Sequence, residues 1–310
     1  VPKVVIATWL IAFGVVVQAR AQEMEPRAYS PSPLGTNFFA AVLGGSRGEI
    51  LFDAAVPITD AHAELGTATL GYGRTFRLGS RQGLVALALP YAWGHAEGNV
   101  GGTSRRVWRS GFADVRIKVS LNLVGPRAMT VDEFRKSPRK TIFGVSLAVQ
   151  APTGEYERTQ LINIGTNRWA VKPEVGVSIP AGGWYLDLYA GVWFFEDNDA
   201  FYAGASKKQQ DPLTALQFHS SYTFKNRAWI AFDATWYGGG ASTVDANPPS
   251  QPQSNSRAGL TFSAPITAHQ SIKVSGSTGT TTRTGTDFDS LLVGWQFTWF
   301  DHTSAARQGG

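Results

Sequence analysis

The sequence predicts an all-β protein: an antiparallel transmembrane β-barrel of about twelve strands behind a cleaved signal peptide. Three observations predict it. Apolar residues recur with period 2 over segments long enough for a tilted strand to cross a bilayer, about 9–11 residues. Short turns alternate with long loops, the wiring of barrels whose short turns face the periplasm. Aromatic residues make up 12% of the 310 residues and charged residues only 16%, against roughly 25% charged in a soluble domain. Mean hydropathy is nevertheless −0.11, and no apolar run suits a membrane helix.

Residues 1–21 read as the signal peptide: Lys3 supplies the positive end, Val4 to Val17 is apolar apart from Thr8, and Ala19-Arg20-Ala21 forms the cleavage site. Lys3 and Arg20 leave with it, so the formal charge of +5 falls to +3. That excess is too small and dispersed to mark a nucleic-acid partner. The absence of Cys removes disulfides and thiolate metal sites.

Residues 22–36 contain a Pro-rich stretch, Glu25-Pro26-Arg27-Ala28-Tyr29-Ser30-Pro31-Ser32-Pro33, expected as a lead-in at the periplasmic rim. The barrel is assigned to 37–300 and a polar tail to 301–310. Strands are expected at 37–46, 64–76, 82–93, 108–123, 140–151, 166–180, 183–195, 212–224, 227–238, 256–265, 268–279 and 287–299. Turns at Leu78-Gly79-Ser80, Ala181-Gly182, Lys225-Asn226 and Ile266-Thr267 alternate with loops at 47–63, 94–107, 152–165, 196–211 and 239–255. One long connection, 124–139, falls on the short side, and its Thr130-Val131-Asp132-Glu133 has capping-box spacing, so one helical turn is expected there.

The hairpin 213–237 shows the pattern best. Leu216, Phe218, Tyr222 and Phe224 share one face, and Ile230, Phe232, Ala234 and Trp236 continue it after the Lys225-Asn226-Arg227 break. Strand 108–123 divides likewise, with Val115, Ile117, Val119, Leu121 and Leu123 towards lipid and Asp114, Arg116 and Lys118 towards the lumen. A Lys or Arg at the bilayer midplane costs roughly 2–4 kcal/mol, which fixes the parity. In the last strand, Gly294 followed by Phe297, Trp299 and Phe300 has the character of a signal for the barrel-assembly machinery.

This parity assigns Arg116, Lys118, Arg168, Lys172, Glu174, Asp187, Tyr189, Trp193, Gln217, His219, Asp233 and Arg257 to the lumen. Mixed charges there either pair into a plug-like network or line a pore. Tyr185, Tyr189, Trp193 and Phe195, joined by Trp229 and Tyr237, either fill a narrow barrel or form a passage for apolar solutes.

Other motifs carry less. Gly44-Gly45-Ser46-Arg47-Gly48 fits G-x-S-x-G, but no helix follows and the stretch reads as a loop leaving the first strand. His219 and Ser221 share a strand face, as in barrel lipid hydrolases, but that face is the lumen and no orienting carboxylate can be assigned. Glu196-Asp197-Asn198-Asp199 lacks the spacing of a calcium loop, and the five His residues show no metal spacing. No catalytic, cofactor or metal residue is assigned.

The stretches EPRAYS (25–30), GTNF (35–38), GFADVRIKVSLNL (111–123), SLAVQAPTGEY (146–156), LINIGTNRWAVKPEVGVSIP (161–180), WYLDLYAGVWFFEDN (184–198) and QDPLTALQFHSSYTF (210–224) resemble the outer-membrane transporter family named for the meta-cleavage pathway of phenol degradation. The resemblance implies an outer-membrane barrel for passive uptake of small hydrophobic or aromatic compounds. Expected partners are outer-membrane lipid, the assembly machinery and such a solute. A lipid hydrolase using His219 and Ser221, and a structural barrel without transport, are the alternatives.

Overall fold

The structure, a computed structural model, describes residues 24–51, 58–100, 102–202, 207–283 and 285–301. The expected signal peptide and most of the polar tail lie outside the described residues. Strands are β1 (Thr36–Leu51), β2 (Ile58–Leu78), β3 (Arg81–Val100), β4 (Thr103–Phe112), β5 (Arg116–Val124), β6 (Ile142–Gln150), β7 (Ala170–Ala181), β8 (Trp184–Phe195), β9 (Lys208–Gln210), β10 (Leu213–Thr223), β11 (Trp229–Gly239), β12 (Ser242–Val244), β13 (Gln253–Pro265), β14 (Gln270–Thr281) and β15 (Gly285–Phe300). All pairings among them are antiparallel, and β1 joins both β2 and β15 while β2 joins β3, so the sheet closes on itself. With β4 and β5 forming one broken stave, the barrel has twelve staves.

The alternation of the sequence becomes a division of surfaces. On β8, β10 and β11 the exposed residues are Leu186, Leu188, Leu216, Phe218, Ile230, Phe232 and Trp236, while Asp187, Tyr189, Gln217, His219 and Asp233 between them are buried. A soluble sheet would not expose such a belt; lipid is the solvent that suits it. Among the described residues no helix is long and apolar enough to cross a membrane; the chain crosses with strands. The turn joining β10 to β11 places Arg227 at φ 70°, and Phe224 N donates to Ala228 O at 2.8 Å.

Two expected loops are mostly strand. β1 continues to residue 51, β2 begins at 58, β3 runs to 100 and β4 begins at 103, so much of 47–63 and 94–107 is a paired sheet standing beyond the membrane. There both faces meet water and apolar alternation is no longer required. The G-x-S-x-G stretch therefore lies within β1, where Ser46 Oγ meets Ser290 Oγ at 2.8 Å.

The single expected strand 108–123 is broken. Tyr91 pairs with Phe112 and Ala88 with Arg116, so three residues, 113–115, stand opposite two, 89–90. Pro90 has no amide to offer, but its carbonyl accepts from Ala113 N at 2.8 Å. The extra residue reverses the parity, as a bulge does: Trp108 and Phe112 are exposed above it, Ile117 and Val119 below. Beyond the bulge β4 pairs only with β3. Its other edge meets the 151–169 segment, through Glu155 N to Phe112 O and Arg109 Nε to Ile162 O, both 2.8 Å.

The connection 125–141 carries the expected short helix, α1 (Val131–Lys136), with a capping box in which Thr130 N donates to Glu133 Oε2 at 2.7 Å. Those backbone and hydroxyl donors hold the Glu133 carboxyl below its ordinary range.

Candidate functional site: a lumen in two storeys

The lead-in does not sit at the rim. It enters the periplasmic half of the lumen and becomes its floor. Arg27 is buried, its backbone N donating to Asp187 Oδ2 at 3.2 Å, its Nε to Ser221 Oγ at 2.8 Å and its Nη2 to Thr223 Oγ1 at 2.7 Å. Its guanidinium also lies 4.6 Å from the centre of the Trp229 ring, a further attraction for a cation. Tyr29 packs edge-on against Tyr189, with centroids 5.2 Å apart, and its hydroxyl meets Ser146 Oγ at 3.1 Å and Glu174 Oε1 at 3.2 Å. Adjacent glycines make room: a Cβ on Gly144 or Gly176 would come within 2.2 Å of the Tyr29 ring.

The floor is otherwise a network of charges. Glu174 receives Lys172 at 3.0 Å and Lys118 at 3.4 Å, and Lys118 also meets Glu25 at 2.6 Å. His219 Nδ1 is 2.6 Å from Asp233 Oδ1, and Thr261 Oγ1 donates to the other Asp233 oxygen at 2.7 Å. The antiparallel register explains this: His219 faces Asp187 on one neighbour and Asp233 on the other. Buried charges persist only when paired, and neighbouring staves here supply opposite signs at one height.

Above the floor the lumen changes character. A cavity of about 290 Å³ is walled by Ile50, Leu65, Val107, Trp193, Phe195 and Phe288, and closed on one side by Leu161 and Ile162 of the 151–169 segment. Ala63, Ala96 and Phe288 pack together there with Ile50, Leu65, Val107 and Ile162. The segment is pinned by Asp114, which accepts from Gly154 N at 2.9 Å and from Thr166 Oγ1 at 2.5 Å. A smaller cavity of about 110 Å³, sharing Val107, Arg109, Leu161 and Ile162 and reaching Ile58 and Val100, continues from this vestibule along β2–β4.

The assigned lumen residues therefore divide. Lys118, Lys172, Glu174, Asp187, Tyr189, Gln217, His219 and Asp233 stand in the floor, while Arg116, Arg168 and Trp193 line the vestibule. Arg257 lies beside the vestibule wall, with Nη2 2.5 Å from Phe288 O. Glu25, Arg27 and Tyr29 were not among the assigned residues, nor were Ile50, Leu65, Leu161, Ile162 and Phe288. EPRAYS and LINIGTNRW had marked two of these regions without locating them in the barrel.

His219 and Ser221 do not face each other as base and nucleophile. The His219 ring meets Asp233 and, at 3.3 Å, Gln217, whereas Ser221 Oγ accepts from Arg27. The acidic run resolves into ordinary loop contacts: Asp197 takes Lys207 at 2.8 Å, which holds its carboxyl low, and Glu196 accepts from Trp169 N. Among the described residues no group of three potential ligands is placed to hold a metal ion.

No curated protein matches the chain. Among solved structures, the COG4313 outer-membrane channel from Pseudomonas putida F1 aligns with a TM-score of 0.74 at 19% identity, covering 89% of this chain and 100% of that one. The transport unit of the autotransporter AIDA-I from Escherichia coli aligns at 0.51 with 10% identity, over 88% and 95% of the two chains. The β-domain of the Bordetella autotransporter BrkA aligns at 0.50 with 9% identity, over 86% and 100%. A channel and two autotransporters share this architecture, so the likeness speaks for the barrel and its outer-membrane setting. The family profile described as "Putative MetA-pathway of phenol degradation" matches residues 52–297, and the chain belongs to that family.

Proposed function

We propose that the protein is an outer-membrane channel for passive uptake of small hydrophobic or aromatic organic compounds. The observation that carries this reading is the apolar vestibule inside a barrel whose floor is polar. A porin for sugars has no use for an aromatic and aliphatic chamber, whereas weak, non-directional contact suits a solute that must enter and leave. A route past the lead-in is offered on the opposite wall, where the inward residues Lys273, Ser275 and Ser277 of β14 and Ala86 and Ala88 of β3 remain partly accessible. The listed channel from Pseudomonas putida F1, with the same barrel architecture, is consistent with transport.

The test is uptake of labelled toluene by cells carrying the barrel in their outer membrane, against cells without it. Faster uptake is expected with the barrel, and Trp193→Ala with Phe288→Ala should lower it several-fold while leaving arabinose entry unchanged. Equal uptake with and without the protein would favour a structural barrel. If the substitutions raise entry of both solutes alike, the aromatics are mere constriction.

A further inference from the structure

The same vestibule carries a feature that a neutral hydrocarbon would not need. Four basic side chains, Arg109, Arg116, Arg168 and Lys208, line it, and no Asp or Glu is among the described residues of its wall. The nearby carboxylate of Asp114 is engaged with Gln150, Gly154 N and Thr166. Three of the cations lie over aromatic rings of the same chamber: Arg168 is 4.5 Å from the Phe195 centroid, Lys208 4.5 Å from Phe201 and Arg116 5.6 Å from Trp193. Arg109, held to Ile162 O, stands where the vestibule meets the smaller cavity.

We infer that the vestibule selects small aromatic anions: single-ring compounds carrying one carboxylate, sulfonate or phenolate group. The inference rests on the channel reading above and narrows its solute class. Positive charge alternates with apolar surface around one chamber, so a solute with an anionic group and a ring satisfies both at once. Like charges in a confined space with low-dielectric walls focus the field, attracting anions and excluding cations. A guanidinium pairs well with a planar carboxylate. At about 290 Å³ the chamber lies at the lower edge of ordinary ligand cavities, which suits one ring better than a fused system.

The experiment uses the full barrel in liposomes and two probes of permanent charge and similar size, benzenesulfonate and phenyltrimethylammonium. Benzenesulfonate should enter at least about tenfold faster. Arg109→Gln with Arg116→Gln removes two of the cations whose side chains stay partly accessible, and should cut that ratio at least about threefold, with arabinose flux unchanged. Ser250→Asp keeps an acceptor for Ser242 N, which now donates to Ser250 Oγ at 2.8 Å, and adds a negative charge to the wall; it should cut the ratio too. A wild-type ratio near one, or a ratio that neither variant moves, overturns the inference while leaving the channel reading standing. Should neither aromatic ion enter faster than into protein-free liposomes, and toluene uptake also prove independent of the barrel, both readings fall.

Discussion

The floor and the vestibule occupy one lumen, yet they are built on opposite principles. In the floor, nearly every buried polar group meets a partner from a distant part of the chain: Arg27 with Asp187 and Ser221, Tyr29 with Glu174, Lys118 with Glu25. In the vestibule, the walls are apolar or aromatic, and the space between them is left open. Specific, directional contacts close a passage; non-directional ones leave room for something to pass. The difference teaches that a polar lumen and a hydrophobic one are not alternatives, since this barrel stacks one on the other.

The sharpest test of that contrast is stability. Glu174→Ala in the floor leaves Lys172 buried beside a lost partner, and breaking such a pair costs about 3–5 kcal/mol. In the vestibule Ile162→Ala, facing a space already open, should cost less than the roughly 2–5 kcal/mol of a filled core. Urea titration of the barrel in lipid compares the two directly. Equal losses would mean that the vestibule wall is packed as tightly as the floor.

A second test separates the lumen from the lipid face. Val274 and Ser275 are neighbours on β14 that point to opposite sides, Val274 opposite lipid-facing Phe262 and Ser275 bonded to the inward Thr261. Val274→Arg should impair assembly by roughly 2–4 kcal/mol, while Ser275→Arg, in the accessible part of the lumen, is tolerated. Heat-modifiability on gels reads the outcome; identical behaviour of the two variants would contradict the assigned faces.

The smallest effect lies outside both storeys. Thr130→Ala removes the cap of α1 and should cost about 1 kcal/mol locally, visible as faster hydrogen exchange at Glu133 and Phe134. Because its donors hold the Glu133 carboxyl low, the contact contributes fully above pH 4.5 and is lost as pH falls through the lowered value. Exchange at these amides that is unchanged by the substitution or by acid would remove the cap's role.

What could be read from the chain follows from where lipid enforces a pattern. Asp187, Gln217, His219 and Asp233 had to face inward because their neighbours Leu188, Leu216, Phe218 and Phe232 meet lipid. The same rule failed above the membrane, where β1–β4 run on through 47–51, 58–63, 94–100 and 103–107 with water on both sides. It also could not locate the bulge at 113–115, which depends on Pro90 in a neighbouring strand. The floor was half legible: its stave residues were assigned, but Arg27 and Tyr29 find their partners between 117 and 196 positions away, beyond the reach of periodicity. The vestibule was the least legible, since Leu161 and Ile162 belong to an irregular segment whose role is fixed only by where it folds back.

The long reach of the lead-in also sets an order in time. Its partners on β5, β6, β7, β8 and β10 are synthesised after it, and contacts so distant in sequence are slow to form. The seat for Arg27 needs Asp187 and Ser221 side by side, which requires β8 and β10 to be paired first. The segment is tethered directly to β1, whose pairing with β15 is the seam that closes the ring. A newborn barrel thus passes through a stage in which the ring has its later staves but no stopper, and the last step of maturation is the N-terminal segment taking its seat.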